Sequence, residues 1–251
     1  HTADGTQEIR SLFGADVFPF PKPSTLIASL VRQVTAESDI VLDFFAGSAS
    51  TAHAVMQVNA EDGSNRQFIL VQLPEMADEK SAAFKAGFSS IAEIGKERIR
   101  RAGAKMLSEA SHTDWTKDVG FRVLKVDTSN LADVLQTPDA LSQGALEGFT
   151  DNIKSDRTAE DLLFQVMLDW GVDLALPISH QTIQGREVLF VDGNALAACF
   201  DAGGRIDEAF VKELATHKPL RAVFRDAGFA DSAAKINVEQ IFKLLSPATE
   251  V

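Results

Sequence analysis

The sequence predicts an α/β protein, with a doubly wound, parallel-sheet module over residues 1–150 and a smaller α/β module over residues 151–251. Three observations predict it. Residues 39–51 read Asp-Ile-Val-Leu-Asp-Phe-Phe-Ala-Gly-Ser-Ala-Ser-Thr: an apolar run ending in an acid, a small-residue turn, then a helical pattern with Ala52, Val55 and Met56 on one face. That is a buried parallel strand feeding a ligand loop. Residues 67–73 repeat the apolar run and end at Pro74-Glu75, one strand–helix–strand unit later. Beyond residue 150, short strand-like runs alternate with amphipathic helical ones.

Length and composition allow this plan. A chain of 251 residues, 45% hydrophobic and 24% charged, can bury one large core or two small ones. No apolar stretch approaches the roughly 20 residues that cross a bilayer, so no membrane partner is expected. The single Cys199 excludes an internal disulfide and a multi-cysteine zinc site, which fits a reducing, cytoplasmic setting. The net charge of −12 is shared by both halves, whereas a protein that holds nucleic acid by itself carries a basic footprint.

The chain starts at His1 without a methionine, in a polar stretch that reaches folded-looking sequence only near Ile9; the expectation is a fragment of a longer protein. Residues 18–24, with prolines at 19, 21 and 23, form a stiff extended entry. A helix follows, capped by Ser24 or Thr25, with Leu26, Ile27, Leu30, Val31 and Val34 facing the core. Its N-terminal donors and Lys22 make a small positive site suited to a carboxylate; equally, Lys22 is a solvated residue in a proline turn.

Asp43 closes the first strand, either as a turn cap or as a carboxylate facing a ligand cation or amine. Phe44 and Phe45 are core or hinge candidates. The loop Ala46, Gly47, Ser48, Ala49 lets a backbone approach a ligand closely, but it lacks both the full dinucleotide fingerprint and a phosphate-loop lysine. A polar link over 59–65 leads to the second strand. Glu75 then stands where a ribose diol is held in dinucleotide folds.

Residues 76–90 form a loop or short helix. A helix over 91–107 carries the stripe Ile91, Gly95, Ile99, Ala102, Met106, with Lys96, Arg98, Arg100, Arg101 and Lys105 read as a solvated face paired with Glu93 and Glu97. The alternative for that face is contact with nucleic acid or with a segment outside this sequence. Residues 121–127 alternate as an edge strand, and 128–153 form an irregular linker. A capping box at Thr158 and Asp161 opens a helix with Leu162, Leu163, Val166, Met167 and Trp170 inward and Gly171 at its close. Strands around Ile183, over 187–191 and over 220–224 follow, with helices over 206–214 and from Asp231, the last carrying Ala234, Val238, Ile241, Phe242 and Leu245. His112, His180 and His217 read as surface or loop histidines, and the spacing of Asp226 and Asp231 does not distinguish catalysis from turn capping.

Several stretches together resemble the C-terminal part of the modification subunit of type III restriction-modification systems, S-adenosylmethionine-dependent DNA adenine-N6 methyltransferases. They are residues 20–27 (Phe-Pro-Lys-Pro-Ser-Thr-Leu-Ile), 40–48 (Ile-Val-Leu-Asp-Phe-Phe-Ala-Gly-Ser), 68–75, 91–103 and 120–127, with 157–163 and 223–229 in the second module. The resemblance implies a partial Rossmann-like methyltransferase fold, its cofactor-binding half over 1–150, and a C-terminal α/β domain over 151–251.

It also implies roles. Lys22, Ser24 and Thr25 would hold the methionine carboxylate of S-adenosylmethionine. Asp43 would meet its amino end, Phe44, Phe45, Ala46, Gly47, Ser48 and Thr51 would form the principal loop, and Glu75 would take the ribose hydroxyls. Ala49 stands where the family commonly has a second glycine. The family's Asp-Pro-Pro-Tyr motif has no counterpart, since the sequence contains no Pro-Pro pair and no tyrosine; no catalytic residue is assigned and the fragment alone is expected to be inactive. Implied partners are double-stranded DNA through the full-length protein, a second copy in a homodimer, and the restriction subunit. In half a sheet, the strand ending at Asp43 is expected to leave an apolar edge and face. Two other readings stand beside this one: a non-catalytic assembly module, and another Rossmann-like nucleotide-binding enzyme.

Overall fold

The computed structural model describes residues 2–109, 111–132 and 151–251. They fall into two compact units, residues 1–123 and 124–251. No helix of the described residues is long and apolar enough to cross a membrane.

The first unit contains helices α1 (Thr2–Phe13), α2 (Ser24–Val34), α3 (Ser50–Asp62), α4 (Ala82–Lys85) and α5 (Ile91–Ser108), with strands β1 (Ile40–Asp43) and β2 (Gln67–Leu70). The two strands pair in parallel, Ile40 opposite Gln67 and Asp43 opposite Leu70, joined through α3. This is the strand–helix–strand unit of the Rossmann-like arrangement. Helix α3 is buried from Ser50 through most of its length. Its Ala54, Val55 and Val58 meet Ala28 and Val31 of α2. Its Ala52, Met56 and Ala60 meet Ile99, Ala102 and Met106 of α5. A helix apolar on both sides is one sandwiched between neighbours, as its small-residue composition allows.

Four expectations change here. The polar opening is a helix: α1 buries Ile9 and runs from Thr2, with Gly5 set so close to Pro21 that a Cβ would fall 2.1 Å from the Pro21 carbonyl oxygen. In α2 only part of the apolar stripe is inward. Ala28 and Val31 are buried, whereas Leu26, Leu30 and Val34 are exposed, and Pro23 rather than Ser24 or Thr25 occupies the cap position. Residues 121–127 form no strand; Val123, Leu124 and Val126 are exposed, and an extended segment without a ladder partner is not a strand. The link over 59–65 is partly helical as well, since α3 continues to Asp62 and ends on Gly63 at φ 76°.

The second unit comprises α6 (Ala159–Asp169), β3 (Ile178–Ile183), β4 (Arg186–Val191), β5 (Leu196–Cys199), α7 (Glu208–Thr216), β6 (Arg221–Phe224) and α8 (Ser232–Leu245). Its four strands lie in the order β3-β4-β5-β6, antiparallel except for the parallel β5–β6 pair. The turn between β3 and β4 places Gln184 and Gly185 both at positive φ, the backbone a two-residue hairpin needs. The capping box at Thr158 and Asp161 is present. Strand β5 is an addition to the sequence reading, which has only a turn and unassigned residues there. Residues 124–132 join this unit: Leu131 bridges to Ile153, and Arg157 hydrogen-bonds Asp127 and Thr128.

Candidate functional site

Strand β1 delivers Asp43 to the carboxyl end of the parallel pair, and the chain then turns back within a few residues. The turn is held from several sides. Asp43 Oδ1 accepts from the Phe45 N–H at 3.0 Å, and Oδ2 from the Thr51 hydroxyl at 2.5 Å. The Ala46 N–H donates to the Val71 carbonyl at 3.1 Å, and the Gly47 N–H to Gln72 Oε1 at 2.7 Å. Gly47 at φ 52° and Ala49 at φ 60° both take the left-handed conformation. Glycine does so without strain, whereas Ala49 meets a steric cost that the surrounding hydrogen bonds must hold.

Asp43 thus acts as the turn cap. A carboxylate has about four acceptor positions and two are used, so the group retains capacity for a donor arriving from outside. Phe44 and Phe45 point away from the core, Phe45 being 86% exposed. Glu75, exposed, follows β2 beyond the same end of the strand pair, because β1 and β2 run parallel with Asp43 level with Leu70. Its backbone is fixed to the start of α5, where the Ile91 N–H donates to the Glu75 carbonyl at 2.9 Å.

The Lys22 segment reaches the same loop through its backbone. The Ser50 hydroxyl donates to the Lys22 carbonyl at 2.7 Å, while the Lys22 side chain is exposed. At the start of α2 the Ser24 N–H donates to Glu8 Oε2 at 2.9 Å. The carboxylate that this helix start is expected to attract is therefore supplied at Ser24 by the chain itself, from α1. Thr25 is exposed beside it.

Glu8 belongs to a buried cluster that the sequence reading does not assign. His53 Nδ1 lies 2.9 Å from Glu8 Oε1, and Arg98 Nη2 lies 3.3 Å from Glu8 Oε2. Arg98 is fully buried, and its Nη1 donates to the hydroxyls of Ser48 at 2.8 Å and Ser50 at 2.7 Å. Burial works against the Glu8 charge, but hydrogen bonds from His53 and Ser24 outweigh it and lower the carboxyl from the ordinary 4.5 to about 2. Burial pushes the Arg98 guanidinium down, and Glu8 opposes that shift.

Arg98 is a correction to the solvated basic face. The rest of that face is ion-paired: Arg101 to Glu97 at 2.7 Å and Lys96 to Glu93 at 2.5 Å. The signal for Arg98 is its spacing, three residues after Gly95 and four before Ala102, which puts it on the buried stripe. A cavity of about 470 Å³, lined among others by Glu8, His53, Ser24 and Thr25, adjoins this cluster.

The loop places an acid, a small-residue turn and an exposed aromatic at one strand end, with a second acid beyond the next. Residues 2–102 match the DNA methylase family. The match to this methylase family implies S-adenosylmethionine-dependent methylation chemistry, and it covers both strands, the loop and most of α5. Among individual proteins, the chain is 43% identical over 119 residues to the Mod subunit of the type III restriction-modification enzyme StyLTI of Salmonella typhimurium, covering 47% of this chain and 18% of that protein. It is 29% identical over 245 residues to the EcoPI Mod subunit of Escherichia phage P1, covering 96% of this chain and 37% of the relative. It is 28% identical over 243 residues to the EcoP15I Mod subunit of Escherichia coli, covering 95% and 36% respectively. The chain therefore spans between 18% and 37% of the length of these relatives.

The residues present fit the cofactor in their chemistry. Asp43 keeps acceptor positions for a donor, Glu75 offers an exposed carboxylate, and Phe45 offers an exposed ring. The exception is Ser24, whose N–H is already engaged by Glu8.

Proposed function

We propose that this chain is the cofactor-binding part of a DNA adenine-N6 methyltransferase of the type III modification kind. The observation that carries the reading is the delivery of Asp43, the small-residue loop and Glu75 to the same end of a parallel strand pair, within the segment that matches the methylase family. S-adenosylmethionine, when bound, supplies an activated methyl group for transfer to an amino nitrogen. The chain's own part is to bind and orient it. Asp43 receives the amino end, and the backbone from Phe44 to Ser48, with Thr51 fixing Asp43, forms the floor. Phe45 walls the ring, and Glu75 receives the ribose hydroxyls. Lys22, Ser24 and Thr25 flank the carboxylate end, Lys22 through its free side chain.

No residue of this chain is assigned to proton or methyl transfer. The base to be methylated is an adenine turned out of the duplex. Double-stranded DNA, a second modification subunit and a restriction subunit are the partners of the whole protein on this reading.

Calorimetric titration tests it. S-adenosylmethionine should bind the 251-residue chain saturably, with affinity reduced at least tenfold in Asp43→Ala and in Glu75→Gln. Equal affinity in all three proteins, or none in any, rejects the assignment.

A further inference from the structure

The segments assigned to the cofactor, around Lys22 and Ser24, Asp43 to Ser48, and Thr51, are joined on one side by apolar packing of α2 on α3 and by the Asp43–Thr51 hydrogen bond. Behind the loop they also meet through two charged residues. Arg98 sits on the buried stripe of α5 among Ile94, Ile99 and Ala102, where an alanine or leucine would suffice to fill space. Instead a guanidinium is buried completely and each of its ends is spent on a different segment. Nη1 donates to Ser48 Oγ in the loop and to Ser50 Oγ at the start of α3, and Nη2 faces Glu8 Oε2. The planar fork turns one nitrogen to the two hydroxyls and the other to the carboxylate.

Glu8 extends the chain of contacts, because the oxygen facing Arg98 also accepts from the Ser24 N–H. Ser50, held by Arg98, donates in turn to the Lys22 carbonyl. Two glycines allow the elements to approach. A Cβ on Gly95 would lie 3.3 Å from the Gly47 carbonyl oxygen, and one on Gly5 would lie 2.1 Å from that of Pro21.

We infer that the Glu8–Arg98 pair is the positioning unit of the cofactor loop: it sets Ser48, Ser50, Lys22 and Ser24 in register before a ligand arrives. Neither residue touches the cofactor in this account; they act through the loop and the helix starts. The inference rests on reading residues 43–48 as the cofactor loop, yet its physical content, a loop ordered from behind by a buried ion pair, is measurable without any ligand. Fixing the site on rigid elements in this way reduces the ordering that binding would otherwise require.

The test is amide hydrogen exchange on the full 251-residue chain, paired with calorimetric titration of S-adenosylmethionine, for wild type, Glu8→Gln, Arg98→Lys and Ser48→Ala. In Glu8→Gln, amides of residues 44–51 should exchange at least tenfold faster while those of residues 99–106 in α5 keep their protection, and the cofactor should bind at least tenfold more weakly. Arg98→Lys, which keeps the charge and loses the fork, should fall between wild type and Glu8→Gln. Unchanged loop exchange in Glu8→Gln, or equal loss of protection in loop and α5, overturns the inference. If Glu8→Gln does not fold, Ser48→Ala decides: faster exchange confined to the loop supports positioning, and wild-type exchange rejects it. A wild-type chain that binds no S-adenosylmethionine but shows the loop effect keeps the positioning role and removes the cofactor reading; binding without the loop effect does the reverse.

Discussion

The sheets of the two units differ in what covers them. In the second unit, Val188, Phe190, Ala197 and Cys199 pack on one face with residues of α7 and α8, while Leu189, Val191, Leu196 and Ala198 pack on the other with α6. In the first unit, Val41, Phe68 and Leu70 point toward the helices, while Ile40, Leu42 and Ile69 on the alternate positions are exposed. The expected apolar face is thus present on β1 and β2. Two-sided burial makes the second sheet a self-contained core, with stability drawn from apolar area. The first unit draws its order from a sandwiched helix and a buried polar cluster, and it leaves its strand-end loop open. A loop on such a frame keeps its surface available while its underside is fixed.

The comparison can be broken most severely at the buried pair. Arg98→Met takes the cation from Glu8, which keeps His53 and the Ser24 N–H, and the donor from the Ser48 and Ser50 hydroxyls; it should destabilise the first unit by about 3 kcal/mol, the lower end of the cost of breaking a buried ion pair. Denaturant unfolding followed at Trp115, buried in the first unit, should show the loss, while Trp170 in the second reports an unchanged transition. A common shift of both probes would mean that the two units unfold together.

A matched pair of substitutions probes the sheets themselves. Leu196→Ala, at a position 1% exposed, should cost about 2–5 kcal/mol. Leu42→Ala, at a position 51% exposed, should cost less than about 1 kcal/mol. Equal costs would contradict the difference in cover.

Acid should separate the units next. The Glu8 carboxyl is lowered in the folded state from 4.5 to about 2, so its contribution is fully present above pH 4.5 and is lost as pH falls from 4.5 toward 2. In the second unit His180 is raised, first by its hydrogen bond with Glu187. Its contribution is present below the ordinary 6.5 and fades as pH rises past it, and it is small because the group is exposed. Circular dichroism melts at pH 3 and pH 6, read with the two tryptophans, should show acid weakening the first unit more. The smallest effect expected is Thr158→Ala, which removes the capping box of α6 at a cost of about 1 kcal/mol confined to the second unit.

What could be read in the sequence follows the same division. The β1–α3–β2 unit, the loop and α5 were legible because each rests on local periodicity and on an acid or glycine at a strand end. The Thr158 capping box and helix α8 were legible for the same reason. Helix α1 was not, since its polar residues mask a single buried face, and Glu8 makes sense only with Ser24, His53 and Arg98 brought beside it. The outward half of α2 and the segment 121–127 carry apolar residues at helical or strand spacing, but spacing does not show whether a neighbour exists. Strand β5 is short and flanked by turn residues, and only pairing between β4 and β6 defines it.

The most direct test of the central claim is residue-resolved. Titrating S-adenosylmethionine into the ¹⁵N-labelled chain should give saturable shifts at amides of Thr25, Phe44, Phe45, Gly47, Ser48 and Glu75, with Phe210 and Leu214 of the second unit unmoved. Absence of saturable shifts, or shifts centred on the second unit, would contradict the assignment of the Asp43 loop as the cofactor site.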